Sequence, residues 1–116
     1  MTADPHWPEV EDAIRNMKGG SSPATRADIV LRVFKGKLDM LLEDLTKKHV
    51  LGRCVGHVAV VEWQKRGQPH AHVLLILHKN DRAATAADVD RDITCKAELK
   101  KDLARGLFYQ ITTAFF

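Results

Sequence analysis

Two histidines separated by one residue are the first feature of the chain that suggests chemistry. His70 and His72 lie in the run Pro69-His-Ala-His, and a β-strand directs residues two apart to the same face. Two imidazoles side by side can chelate one divalent cation. Because the chain has six histidines in 116 residues, such a pair also arises by chance, and two hydrogen-bonded structural histidines are the alternative.

A predicted β-hairpin brings a carboxylate to these histidines. Residues 53–63 and 69–77 are rich in β-branched residues, and the polar loop 64–68 between them contains one glycine. This loop pairs Glu62 with His70, and directly opposed residues of an antiparallel pair share a face. A loop shorter by one residue would turn the Glu62 carboxylate to the other face. The alternative for Glu62 is a solvated carboxylate near a turn.

The three side chains together form a candidate ligand set for a metal. Two neutral imidazoles and one carboxylate leave coordination positions open, as a catalytic site requires. Such mixed nitrogen and oxygen ligands suit Mn²⁺ or Zn²⁺ and would accept Mg²⁺ bridged to a phosphate. We expect Mg²⁺ or Mn²⁺, with Zn²⁺ as a further candidate, and the cation would polarise a phosphoryl oxygen. Lys65 and Arg66 in the adjoining loop are candidate contacts to a DNA backbone, although such a pair at a hairpin tip more often serves solubility.

The other residues near the hairpin do not extend this ligand set. His57 has the opposite parity from Glu62, and His78 lies roughly 20 Å further along the second strand than the histidine pair. Trp63 could stack on a nucleobase, but its parity opposite the histidines predicts packing against the core instead.

Helices are predicted on both sides of the hairpin. Apolar residues recur every three or four positions between residues 26 and 48, and Thr25 provides an N-cap for this helix. Thr85 opens a second helix over residues 86–105. The fold class is therefore α+β, with an antiparallel sheet centred on the hairpin.

The chain length suits one domain with three parts. Residues 1–25 form an irregular N-terminal segment with a short helical piece from Pro8 to Met17, residues 26–98 form the core, and residues 99–116 form a divergent tail.

Composition narrows the class of protein without indicating its chemistry. Hydrophobic residues make up 45% and charged residues 28%, as in globular proteins, and the net charge of +3 permits nucleic-acid binding without arguing for it. Cys54 and Cys95 lie too far apart in sequence for a zinc knuckle. The longest apolar run is too short to cross a bilayer, and no secretory signal is visible, so we expect an intracellular protein without a membrane partner.

Several stretches of the sequence resemble one known family, the Helitron helicase-like N-terminal domain. The run from Val60 to Leu77, VVEWQKRGQPHAHVLLIL, resembles its signature hairpin, and the run from Arg26 to Leu45 resembles its helix. Pro5-His-Trp-Pro-Glu is similar to the N-P-x-W-P-E motif of the family, and Thr85-Ala-Ala-Asp-Val-Asp-Arg matches the start of its following helix. The resemblance covers about residues 4–98.

The resemblance implies an HUH-type endonuclease of rolling-circle transposition, with a Rep-like antiparallel sheet flanked by helices. In that family a metal held by two histidines and a third polar residue positions a single-stranded DNA phosphate, and a tyrosine attacks it and becomes joined to the 5′ end. His70 and His72 match the family histidines, and Glu62 matches the upstream acidic position. Single-stranded DNA is then the expected partner and the nucleus the expected location, and no nucleotide is expected.

The sequence departs from the family pattern at both ends. A strand precedes the N-terminal motif in the family, whereas only four residues precede Pro5 here, so we expect an incomplete sheet with an exposed edge. The single tyrosine, Tyr109, does not match the family's tyrosine-rich motif, and its neighbour Phe108 favours a packing role over that of a nucleophile. We therefore expect a metal-capable domain with impaired nicking. The alternatives are a non-catalytic single-stranded DNA-binding module and a non-functional transposon remnant.

Overall fold

The predicted α+β class is confirmed by the computed structural model, which describes residues 1–17, 19, 22–65, 67–82, 84–88 and 90. Over this part of the chain the elements are α1 (Pro8–Arg15), α2 (Ala27–Thr46), β1 (Cys54–Trp63) and β2 (Pro69–Leu77), with short 3₁₀ turns at Pro23–Thr25 and Lys79–Asp81. β1 and β2 form an antiparallel pair. Residues 86–88 and 90 are helical, at the predicted start of the second flanking helix, whose continuation to residue 105 lies outside the described residues, as does the tail 99–116.

Helix α2 provides the larger part of the hydrophobic core. Its apolar residues recur at helical spacing and bury one side of the helix, as the periodicity predicts. The buried positions are Ile29, Val30, Phe34, Leu38, Leu41 and Leu45. The opposite side of the helix carries exposed ion pairs four residues apart, such as Lys35 with Asp39.

The predicted N-cap of this helix was wrong by one residue. Arg26 occupies the N-cap position without a side-chain capping bond, and the Thr25 hydroxyl instead donates to the Ser22 carbonyl oxygen, 2.9 Å away, within the preceding 3₁₀ turn. The same hydroxyl oxygen accepts the N–H of Ser22 at 3.1 Å, so the acceptor that an N-cap would offer to the helix already serves the preceding turn. The Arg26 guanidinium donates to Asp28, Nη2 to Oδ2 2.7 Å, and this hydrogen bond lowers the pKa of Asp28 to about 2.

The N-terminal segment is part of the same core. Trp7 and Val10 are almost completely buried, with 1% and 0% of their surface exposed, and they belong to the cluster that contains Phe34 of α2. Lys37 of α2 links the two helices, because its Nζ lies 5.2 Å from the centroid of the Trp7 ring and 2.7 Å from Oε1 of Glu9. Trp7 and Val10 therefore pack the N-terminal segment against α2, and Lys37 adds polar contacts to it.

The hairpin loop has the predicted length. The strands end at Trp63 and begin again at Pro69, and the N–H of Gln64 donates to the carbonyl oxygen of Gln68, 3.0 Å away. Gly67 has a φ of +71°, a left-handed conformation that glycine adopts without steric cost. The loop therefore closes in a way that keeps the predicted register.

The sheet edge that the sequence analysis expected to be exposed is covered near the start of β2. The N–H of Ala71 donates to the carbonyl oxygen of Met1 at 2.7 Å, and the N–H of Ala3 donates to that of Pro69 at 2.9 Å. Met1 and Ala3 are 4% and 3% exposed, so their side chains belong to the core. Residues 1–3 thus act as a short third strand, and the expectation of an open edge is wrong over residues 69–71.

A polar cluster closes the other end of the hairpin. The backbone N–H of Arg53 donates to Oδ2 of Asp81 at 2.7 Å, and the Arg53 Nε donates to the same oxygen at 3.0 Å. Gly52 has a φ of +113°, and a Cβ at this position would lie 2.8 Å from Cβ of Asp81. The connection from α2 to β1 is therefore held against the chain that follows β2.

Among the described residues, no helix is long and apolar enough to span a membrane.

Candidate metal centre

The two faces of the hairpin have different surroundings. On one face, Pro69 and Ala71 of β2 are buried against the core. Residues of the other parity point away from it, and we call that surface the site face; it carries Glu62, His70 and His72. The alternation follows from the pleat of a strand, which places successive side chains on opposite faces.

The predicted register is confirmed. Glu62 lies opposite His70, Val60 opposite His72, and Trp63 opposite Pro69. A slip of one residue would have moved the Glu62 carboxylate to the core face, so the loop length decides whether the three polar side chains meet.

The three candidate ligands lie close together on the site face. Oε2 of Glu62 is 3.3 Å from Nε2 of His72, and the side chains of both residues are 61% exposed. The rings of His70 and His72 meet edge to face, with centroids 4.5 Å apart and an interplanar angle of 65°. The carboxylate therefore contacts one imidazole directly, and that imidazole contacts the other.

His70 is the most constrained member of the set. Its Nδ1 lies 2.6 Å from the hydroxyl oxygen of Thr2, and its side chain is half-buried. Burial lowers the pKa of His70, the positive charge of the Met1 amino group and His72 lower it further, and Glu62 partly opposes this. A lowered pKa favours the neutral imidazole, which is the form that binds cations.

The donors suit a divalent cation in type and number, but the side chains are not drawn together around one point. Over the described part of the chain, no group of three His, Cys, Asp or Glu side chains is arranged to hold a metal ion. Glu62 and His72 contact each other instead, and both are exposed enough to rotate without disturbing the core. Binding of a cation would therefore require these two side chains to reorient toward His70.

Comparison with known families decides what kind of domain this is. The family model of the Helitron helicase-like domain at the N-terminus matches residues 1–75. The chain belongs to this family. The match contains Glu62, His70 and His72, and it begins with the residues that cover the edge of β2. A comparison with curated proteins found no match.

Of the other predicted site residues of this Helitron helicase-like domain, Lys65 alone is among the described residues. Lys65 is exposed in the hairpin loop. Arg66 and Tyr109 lie outside the described residues. His57 lies opposite Leu75 on the other face, as its parity predicts, and His78 follows the end of β2, where its Nδ1 accepts a hydrogen bond from the N–H of Asn80.

The prediction that Trp63 packs in the core of the Helitron helicase-like domain was wrong. Trp63 faces the predicted side of the hairpin, yet 61% of its surface is exposed. The neighbouring position of the same parity, Val61, is also exposed, at 45%. The core covers β2 and leaves this end of β1 open, so parity alone does not bury a side chain.

Sequence reasoning missed Thr2, which the Helitron helicase-like domain places next to His70. Residues 1–25 were expected to be an irregular segment. The alternation of apolar Met1, polar Thr2 and apolar Ala3 is typical of a strand, but three residues are too few to distinguish from chance. Thr2 reaches the site only because residues 1–3 pair with β2, and Thr2 and His70 are 68 positions apart in the sequence.

Proposed function

We propose that this Helitron helicase-like domain binds a divalent cation, Mg²⁺ or Mn²⁺, through Glu62, His70 and His72 and holds a phosphate of single-stranded DNA beside it. The observation that supports the proposal is the hairpin register, which places a carboxylate and two imidazoles on one exposed face of the sheet. The site would then be the metal-holding part of a DNA nicking and strand-transfer centre.

Each residue has a separate task in this proposal. His70, held by Thr2, is the fixed ligand, whereas the exposed Glu62 and His72 exchange their mutual contact for the cation. The cation supplies charge that polarises a phosphoryl oxygen and stabilises negative charge developing at the phosphate. Lys65 in the adjoining loop attracts the DNA backbone by its charge.

Cation binding is tested first by the melting temperature of the protein. A ligand that binds only the folded state at ten times its Kd stabilises the protein by about 1.4 kcal/mol, which raises the melting temperature by several degrees. Mn²⁺ should produce this shift in the wild type, and the double variant His70→Ala, His72→Ala should abolish it. His57→Ala is the matched control, since it removes an imidazole from the same hairpin but from the opposite face. A wild type with an unchanged melting curve would contradict the proposal.

DNA binding is tested by the salt dependence of affinity for a single-stranded oligonucleotide. If Lys65 contacts a phosphate, Lys65→Ala should reduce the slope of log K against log salt by about 0.7, the contribution of one phosphate contact in single-stranded DNA. Lys35→Ala on the exposed side of α2, where Lys35 pairs with Asp39, should leave the slope unchanged. Equal slopes for the two variants would show that Lys65 does not contact a phosphate of the DNA.

Cleavage is tested by incubating the protein with single-stranded DNA and Mn²⁺ and separating covalent adducts under denaturing conditions. In a nicking reaction, a hydroxyl oxygen bonds to phosphorus while the bond to the 3′ oxygen breaks and that oxygen takes a proton. Because Tyr109 does not match the family's tyrosine-rich motif, we expect no adduct with this chain. An adduct that is lost in Tyr109→Phe would instead assign Tyr109 as the nucleophile.

Exposure of Trp63 favours a second candidate function, binding of single-stranded DNA without cleavage. An exposed indole can stack on a nucleobase, which contributes about 1–3 kcal/mol per base, and Trp63 precedes the loop that contains Lys65. In this case Trp63→Ala should weaken DNA binding, whereas removal of both histidines should not. The reverse result supports the metal-dependent site.

A further inference from the structure

Thr2 is held in place opposite His70 by backbone pairing on both sides. The N–H of Ala71 donates to the carbonyl oxygen of Met1, and the N–H of Ala3 donates to that of Pro69, at 2.7 and 2.9 Å. Thr2 and His70 form the bridge between these bonds, so their side chains share the site face. The Thr2 hydroxyl, the His70 ring and the Glu62 side chain thus follow one row across three extended segments.

The hydrogen bond between Thr2 and His70 determines which nitrogen of the imidazole is available to a ligand. Oγ1 of Thr2 lies 2.6 Å from Nδ1 of His70. If Nδ1 carries the proton and donates it to Oγ1, the lone pair of Nε2 is free to bind a cation. If the hydroxyl donates to Nδ1, the proton is on Nε2 and this nitrogen cannot act as a ligand. A histidine that binds a metal through one nitrogen generally donates the other N–H to an oxygen.

We propose that Thr2 is a positioning residue for the cation site: its hydroxyl oxygen accepts the Nδ1–H of His70, fixes the orientation of the ring and leaves Nε2 for a divalent cation. This inference rests on the proposed function. It assigns unequal roles to the two histidines, because His70 is half-buried and bonded to Thr2, whereas His72 is 61% exposed and contacts Glu62 and the His70 ring.

Two substitutions separate the hydroxyl from the shape of the side chain. Thr2→Val replaces the hydroxyl by a methyl group of similar size and keeps a β-branched residue that suits a strand. Thr2→Ser keeps the hydroxyl and removes only the methyl group. Intact mass should confirm that residue 1 is present in every preparation, because Met1 contributes two of the three hydrogen bonds that flank Thr2, one through its carbonyl oxygen and one through its amino group.

The first measurement reads the tautomer of His70 without any cation. Long-range ¹H–¹⁵N correlation spectra, recorded at a pH where the imidazole is neutral, distinguish protonated Nδ1 from protonated Nε2. The wild type and Thr2→Ser should show the proton on Nδ1 of His70, and Thr2→Val should show a shift toward the tautomer with the proton on Nε2. A wild type with the proton on Nε2 would overturn the inference, whatever the protein binds.

The second measurement is the affinity for Mn²⁺ by titration calorimetry. Loss of a hydrogen-bond partner behind a metal ligand weakens binding by about 10–100-fold, so Thr2→Val should raise the Kd by this factor while Thr2→Ser retains wild-type affinity. Equal affinity of Thr2→Val and the wild type would refute the role of Thr2. If the wild type binds no cation, the proposed function fails, whereas the tautomer spectra still decide whether Thr2 controls the proton on His70.

Discussion

The carboxylate of Glu62 pairs with the imidazole of His72, with Oε2 3.3 Å from Nε2, although the two residues are not directly opposed in the hairpin. Glu62 lies opposite His70, and the contact with His72 is a diagonal one that long side chains can reach on the same face of a sheet. Because both side chains are 61% exposed, this contact contributes little to folding stability. The pair is therefore free to be replaced by a ligand.

Glu62→Gln separates the charge of this carboxylate from its size. We expect the melting temperature without cations to stay close to that of the wild type, since an exposed pair contributes only about 0–1 kcal/mol. Loss of a hydrogen-bond partner behind a metal ligand weakens binding by about 10–100-fold. Glu62→Gln should weaken Mn²⁺ binding by more than this, because it removes a charged ligand. Glu43→Gln, which breaks a similarly exposed pair with Lys47 on α2, is the control and should bind Mn²⁺ normally. Unchanged affinity in Glu62→Gln would exclude this residue as a ligand.

Asp81 should make the stability of the domain decrease as the pH falls in the acidic range. Hydrogen bonds from the Arg53 side chain and then from its backbone N–H lower the pKa of Asp81 below its usual value of 3.8. The unfolded chain therefore takes up a proton at this position before the folded one does. The stabilisation is complete above the unfolded pKa and is lost as the pH falls through the lower, folded pKa.

Urea unfolding over the acidic range measures this effect. Asp81→Asn should flatten the fall in unfolding free energy below the unfolded pKa, and Arg53→Gln should flatten it in part, because the backbone N–H at position 53 still donates. An acid profile that is identical in the wild type and in Asp81→Asn would contradict the assignment.

Gly52 and Gly36 should respond in opposite directions to the same substitution. At Gly52 a Cβ would meet Asp81 at 2.8 Å in a backbone conformation with φ of +113°, so Gly52→Ala should destabilise the protein by about 1–3 kcal/mol. Gly36 lies inside α2 with open space where a Cβ would be, so Gly36→Ala should stabilise it by about 0.5–1 kcal/mol. Chemical denaturation of the two variants provides the comparison. Equal effects at both positions would contradict the described packing at Gly52.

Trp7 should be essential for stability although it lies in the segment before the predicted core. Trp7→Ala removes a side chain that is 1% exposed and should lower the free energy of unfolding by about 3–5 kcal/mol. Met40→Ala on the exposed side of α2, where the side chain is 58% exposed, should change it by less than about 0.5 kcal/mol. A Trp7→Ala variant as stable as the wild type would mean that α1 does not dock on α2.

Local patterns in the sequence predicted the elements of the fold with small errors at their ends. The helix expected over 26–48 is observed as Ala27–Thr46, and the strands expected over 53–63 and 69–77 are observed as Cys54–Trp63 and Pro69–Leu77. Apolar periodicity and loop length are properties of neighbouring residues, so they can be read without knowledge of the rest of the chain. The capping role of Thr25 was mispredicted because its hydroxyl oxygen accepts the N–H of Ser22 in the preceding 3₁₀ turn instead of an N–H of the helix.

The sequence by itself determined that Glu62, His70 and His72 share a face, because a five-residue loop leaves one register and a strand alternates its side chains strictly. Only the tertiary structure decided the surroundings of that face. Thr2 reaches His70 through a pairing that spans 68 positions, and Trp63 stays exposed because the core covers β2 but not the end of β1. Such contacts depend on where whole elements come to lie against each other, and no short stretch of residues encodes this placement.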